Sequence, residues 1–213
     1  MSLKFKRKLL RSVKRGLKNG SATRVILVAL LLVSAFAYTE YMQNRRLTVD
    51  PTTCNQLLHL IASVESKGNY NAYFGHAGNS SIDFTAMSIA DVMKWQSDYV
   101  HQGSPSSAVG RYQIMDTTLS GLVKELGVDT HRPFDQATQD RMAVTLIERR
   151  GAVSYVNGEL TREQFAANLA KEWAALPRVV GENPDDSYYA SDGLNKSLVG
   201  VDEVLKAINP IGS

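Results

Sequence analysis

The chain has 213 residues, 44% hydrophobic and 21% charged, which suits one domain of ordinary size plus an extension and excludes a disordered polymer. Its net charge of +3 hides a division: residues 1–24 carry nine basic and no acidic side chains, leaving fifteen basic against twenty-one acidic elsewhere, a balance of −6. That mildly acidic body argues against nucleic acid as a partner, and a single cysteine, Cys54, excludes an intrachain disulfide or a Cys-rich metal site.

Residues 1–24 read as a basic inner tail. Val25 to Tyr38 is an unbroken apolar or small-residue run, and extension through Met42 gives a segment, 25–42, at the lower limit for spanning a hydrocarbon core of ~30 Å. Tyr38 and Tyr41 sit where interfacial aromatics belong, and the basic prefix places the N-terminus in the cytoplasm and the remainder in the periplasm. Two rivals stand beside this transmembrane or signal-anchor helix: a cleaved signal peptide and a buried core helix. Residues 43–53 form a polar linker containing Pro51.

A folded domain is expected over 54–213. Asn55 to Ser66 has Leu57, Leu60, Ile61 and Val64 at helical spacing, with Gly68 as a left-handed stop. Asn69 to Thr85, rich in Gly, Asn and Ser, reads as loops with a short hairpin. Ser88 to Asp91 opens a helix to about Val100. A further helix is expected over Asp116–Leu126, closed by Gly127, and another over Gln136–Arg150, capped by Asp135. The capping box Thr161–Gln164 opens a helix whose stripe Phe165, Leu169, Trp173, Leu176 runs to Pro177. Arg178 to Asp192 is polar and loop-like. A last helix, about Gly193 to Asn209, would pack Leu194, Leu198, Val201 and Leu205. The fold class is therefore mainly α, formally α+β, with a small irregular or β region after the first domain helix and an N-terminal transmembrane helix.

Glu65 lies in the last turn of its helix, where the helix dipole and apolar neighbours such as Ile61 and Val64 both disfavour an anion. A carboxyl kept protonated near neutral pH can donate to a glycosidic oxygen. By itself such a residue is more often an ordinary solvated glutamate. Histidines 59, 76, 101 and 131 form no His-x-x-x-His pair, and no Gly-x-Ser-x-Gly, P-loop or Gly-x-Gly-x-x-Gly occurs.

The surroundings of Glu65 change the balance. Glu65-Ser66-Lys67-Gly68, followed by Asn71-Ala72, resembles the Glu-Ser-x-Gly…Asn-Ala signature of lysozyme-superfamily lytic transglycosylases. Gly110-Arg111-Tyr112-Gln113, preceded by Ser107-Ala108, is similar to the Gly-x-x-Gln element of the phage lambda type of endolysin, and Trp173 to Pro177 resembles that family's Trp-Ala-Ser-Leu-Pro. The resemblance covers roughly residues 55–180. It implies a lysozyme-like domain that cuts the glycan strand of peptidoglycan with no metal or cofactor. Glu65 would be the catalytic acid and then base, Tyr112 and Gln113 would line the saccharide groove, and Trp173 would support or line it.

Ser107, Arg111, Tyr73 and Asp83 complete the candidate site. Asp83 is the best-placed partner carboxylate if water is the nucleophile. Each has a structural alternative: a cap for Ser107 and Asp83, an ion pair for Arg111, core packing for Trp173. The family reaction is transglycosylation, giving 1,6-anhydro ends; a muramidase that hydrolyses the same bond is the alternative. A membrane-anchored peptidoglycan-binding or virion structural protein is the rival from another class. The short, weakly apolar span resembles that of signal-arrest-release endolysins, and attachment within a virion is the other location. The chain departs from the lambda pattern after Pro177 and over Ile82–Trp95, which looks longer.

Overall fold

The computed structural model describes residues 22–44, 48–193 and 195–212. The basic tail over 1–21 and Leu194 of the expected last helix lie outside the described residues. The chain divides into two compact units, 1–45 and 46–213.

In the first unit, α1 (Ala22–Asn44) covers the apolar run. Ile26, Leu27, Leu30, Leu31, Val33 and Phe36 are exposed. Among the described residues no helix is long and apolar enough to cross a membrane. The segment 25–42, expected to span a membrane, lies within α1.

The second unit is mainly helical. A short 3-10 turn, Pro51–Cys54, leads into α2 (Asn55–Ser66), and α3 (Ile89–His101), α4 (Asp116–Leu126), α5 (Gln136–Arg149), α6 (Ala152–Val156), α7 (Arg162–Leu169) and α8 (Val201–Ile208) follow. The polar linker expected over 43–53 is not free at its end. Val49 is buried, and its N–H donates to Glu148 Oε1 at 3.2 Å.

Side-chain caps define the helix starts. Ser88 Oγ accepts from Asp91 N at the start of α3, Asp135 accepts from Thr138 N at α5, and Thr161 and Gln164 close a reciprocal box at α7. α2 ends with Lys67 at φ +56 and Gly68 at φ +80, so the left-handed turn begins one residue before the expected glycine. The core gathers Leu57 and Ile61 of α2, Leu119 and Leu122 of α4, Met142, Leu146 and Ile147 of α5, Phe165 and Leu169 of α7, and Val204 and Ile208 of α8. α2 packs against both α5 and α8, which buries its inner face and leaves its C-terminal turn at a cleft.

Two expected helices are shorter in the structure. α7 stops at Leu169, so Trp173 is not on a helix: 170–176 form tight turns in which the Trp173 N–H bonds Leu169 O and the Leu176 N–H bonds Trp173 O. The turns release the Ala175 N–H for a contact outside the segment. The last helix begins at Val201, after Gly200, and buries Val204, Ala207 and Ile208, whereas Leu198 is exposed. The region 69–87 contains no strand. Isolated bridges pair Tyr73 with Val109 and Val109 with Ile114, and asparagines build the loops: Asn69 Nδ2 donates to Ala77 O and Asn79 O, and Asn79 Nδ2 to Asn71 O and Ile82 O.

Candidate active site

The last turn of α2 and the segment 107–115 meet at Glu65. Ser66 Oγ donates to Arg111 O at 2.7 Å, which ties the helix end to the segment. The Gly110 N–H donates to Ala72 O at 2.7 Å, and reciprocal bonds between Val109 and Ile114 close a tight turn over 110–113. That turn uses Gly110 at φ +78 and Gln113 at φ +49. A Cβ on Gly110 would collide with Gln139 Oε1, which accepts the Arg111 N–H, so both the left-handed backbone and the close approach require glycine here.

Glu65 lines a cleft together with Phe74, Tyr112, Gln113, Glu172 and Trp173. Larger depressions, of about 580 and 500 Å³, lie elsewhere on the second unit, but neither is lined by Glu65. The Glu65 carboxyl is pushed up to about 7 by burial, against a smaller opposite effect of the Ala175 N–H, which donates to Oε1 at 3.4 Å. Burial removes the water that would solvate the anion, and one long hydrogen bond offsets little of that cost. A carboxyl poised near neutrality can both give and take a proton.

The other predicted residues separate into two groups. Tyr112, Gln113 and Trp173 share the cleft with Glu65. Tyr112 is buried and donates to Asp140 Oδ1 at 2.7 Å; burial, reinforced by that carboxylate, lifts its hydroxyl well above the ordinary range. Gln113 Nε2 donates to Gly110 O. Trp173 Nε1 donates to Tyr112 O at 3.2 Å, so the indole serves the core and the cleft wall together.

Ser107, Arg111, Asp83 and Tyr73, also expected at the site, are not among the residues that line this cleft. Ser107 is buried, and its Oγ donates to Asp116 Oδ1 and accepts the Asp116 N–H, holding the start of α4. Arg111 turns to the back of the segment, where Nη1 donates to Tyr70 OH and the guanidinium lies 4.7 Å from the Tyr70 ring centroid. Asp83 is exposed and accepts from Thr85 Oγ1 and N at the 3-10 turn Phe84–Ala86, and the Thr85 hydroxyl holds its carboxyl below the usual range. Tyr73 stacks on His76 at 4.3 Å and packs edge-on against Trp95 and Tyr99; its neighbour Phe74, 41% exposed, faces the cleft instead.

Sequence reasoning missed Glu172, Ser106, Thr118 and Asn195, which also line the cleft. Only the position of Glu172 beside Trp173 was a usable signal. Among the described residues no group of three His, Cys, Asp or Glu side chains could hold a metal ion.

The family model described as endolysin matches residues 56–194. Among solved structures, bacteriophage lambda lysozyme complexed with a chitohexasaccharide is similar, at 17% identity and a TM-score of 0.46, over 79% of this chain and 98% of its own. No curated protein matches the chain. The family match spans well over half of the chain and takes in Glu65, the 107–115 segment and Trp173; the chain belongs to the endolysin family.

Proposed function

We propose that this endolysin-family chain cuts the bacterial peptidoglycan glycan strand between N-acetylmuramic acid and N-acetylglucosamine, as a phage lytic transglycosylase on a lysozyme-like domain. The observation that carries the reading is Glu65: a carboxyl raised to about 7, on a cleft shared with Tyr112, Gln113 and Trp173. Its proton passes to the glycosidic oxygen as the C1–O bond breaks. The resulting carboxylate then takes the proton from the muramic acid 6-hydroxyl, whose oxygen closes on C1, and the acid is regenerated. An intramolecular hydroxyl has a high effective molarity, so this route needs no carboxylate to activate water.

Hydrolysis is the second reading, and one observation favours it: Glu172 is a second carboxylate on the same cleft. Arg150 holds it through Oε2 at 2.6–2.7 Å, and Asp83 caps a turn instead, so transglycosylation is better supported. Mass spectrometry of the muropeptides decides between them. Anhydro ends, lighter by one water, are expected; reducing ends would overturn transglycosylation. A binding or structural role requires wall damage to survive Glu65→Gln, and loss of all cleavage is expected instead.

The same reading places residues 25–42 in the host inner membrane, with the second unit in the periplasm, or in the membrane of a virion. The basic prefix and the apolar run Val25–Tyr38 support it. Alkaline extraction of host membranes carrying the full chain tests it: retention in the pellet is expected, and quantitative release excludes a span.

A further inference from the structure

We propose that Glu172 is a second sugar-contacting carboxylate of the cleft, accepting a hydrogen bond from a ring hydroxyl or the acetamido N–H of an amino sugar; this rests on reading the cleft as a glycan site. Glu172 is only 13% exposed, yet it belongs to the cleft wall beside Trp173 and lies on the turn that presents the Ala175 N–H to Glu65. Arg150, the C-cap of α5, grips one of its two oxygens: Nε and Nη2 both reach Oε2, and Nη2 also donates to Lys171 O at 3.3 Å. Among the described residues nothing donates to Oε1.

A carboxylate held by one edge has a fixed rotamer and an acceptor directed away from its clamp. Beside Glu172 the wall is formed by Trp173, Ala174 and Leu146, whose side chains offer no acceptor, and the polar side chains of Ser106, Gln113, Thr118 and Asn195 belong to other parts of the lining. A sugar presents mainly O–H and N–H donors. An anchored carboxyl oxygen fits them better than water does, because its orientation is settled before the ligand arrives. Had Arg150 and Glu172 served only to staple the 171–176 turns to α5, a bidentate pair using both oxygens would do it better.

The test uses chitohexaose and the full chain carrying Glu65→Gln, so that binding is read without turnover. In that background Glu172→Gln keeps its oxygen on Arg150 and turns an amide N–H₂ toward the cleft, replacing an acceptor with a donor. Calorimetric titration is expected to show binding weakened about tenfold or more, with a melting temperature within a few degrees of the parent. An unchanged Kd overturns the proposal. Should Glu172→Gln fold poorly, a crystal structure of the Glu65→Gln chain with chitohexaose decides: Oε1 within hydrogen-bond distance of a sugar O–H or N–H upholds it, and Oε1 facing only solvent or protein overturns it. Wild-type digestion of peptidoglycan is read separately. Its absence would remove the enzymatic reading and leave the sugar contact to the binding measurement.

Discussion

Glu65 carries a thermodynamic signature that can be measured apart from any reaction. Its folded pKa, about 7, lies above its ordinary value of 4.5 because burial penalises the anion. Below pH 4.5 the group is neutral in both folded and unfolded chains, and no stability is lost. Between pH 4.5 and about 7 the unfolded chain releases the proton while the folded chain holds it, so stability falls over that window by roughly 3 kcal/mol in all and levels off above it. Glu65→Gln removes this dependence, so the variant should match the wild type in urea unfolding at pH 4.5 and exceed it by up to that amount at pH 8.5. Equal stability at both pH values would mean the carboxyl is solvated. Wild-type kcat/KM for glycan cleavage should decline through the same titration, since the acid form starts the reaction. At Gly110 the restraint is geometric. Gly110→Ala meets an unfavourable φ of +78 and the Gln139 amide at once, and a loss of more than about 1 kcal/mol is expected in the same unfolding assay.

Elements show how local chemistry positions the site from behind. Ser107 was a natural candidate for sugar contact because it stands in the motif, but its hydroxyl is consumed by both the carboxylate and the N–H of Asp116 at the start of α4. Ser107→Ala should therefore lower stability by ~1–3 kcal/mol and leave the KM for glycan within about twofold. A tenfold KM increase without destabilisation would return Ser107 to the groove. Arg111 works similarly at the back of the segment, where Tyr70 and Tyr112 both donate to Asp140 and the Arg111 guanidinium donates to Tyr70. The early end of α7 has the opposite logic. A helix continued to Leu176 would commit the Ala175 N–H to an intrahelical carbonyl, whereas the turns turn it to Glu65.

For the whole molecule, the second unit starts before the expected domain boundary. Val49 is 6% exposed and its N–H bonds Glu148, so the end of the linker belongs to the packed body. A chain shortened to begin at Cys54 should lose about 2 kcal/mol relative to one that begins at Arg46, from the buried valine and its hydrogen bond. Matching denaturation midpoints would show that 46–53 adds nothing. Charge follows the same division, with the basic excess confined to the first 24 residues and an acidic balance beyond them.

The sequence alone determined what depends on neighbours a few residues apart. Helical periodicity and caps located α2, α3, α4 and α5 nearly to the residue, because Ser88, Asp135 and Gly127 act on backbone groups within one turn. It also marked Glu65, Tyr112, Gln113 and Trp173 as one group through motif order. Tertiary structure decided everything set by partners far along the chain. The raised Glu65 carboxyl lies in a cleft walled by 112–115 and 172–174, and the N–H that bonds it, that of Ala175, comes from 110 residues away. Ser107, Arg111, Asp83 and Tyr73 were sorted out of the cleft, and Glu172 into it, by which way each side chain turned once the elements packed. No local pattern encodes that direction, because burial and electrostatic environment arise only when distant segments meet.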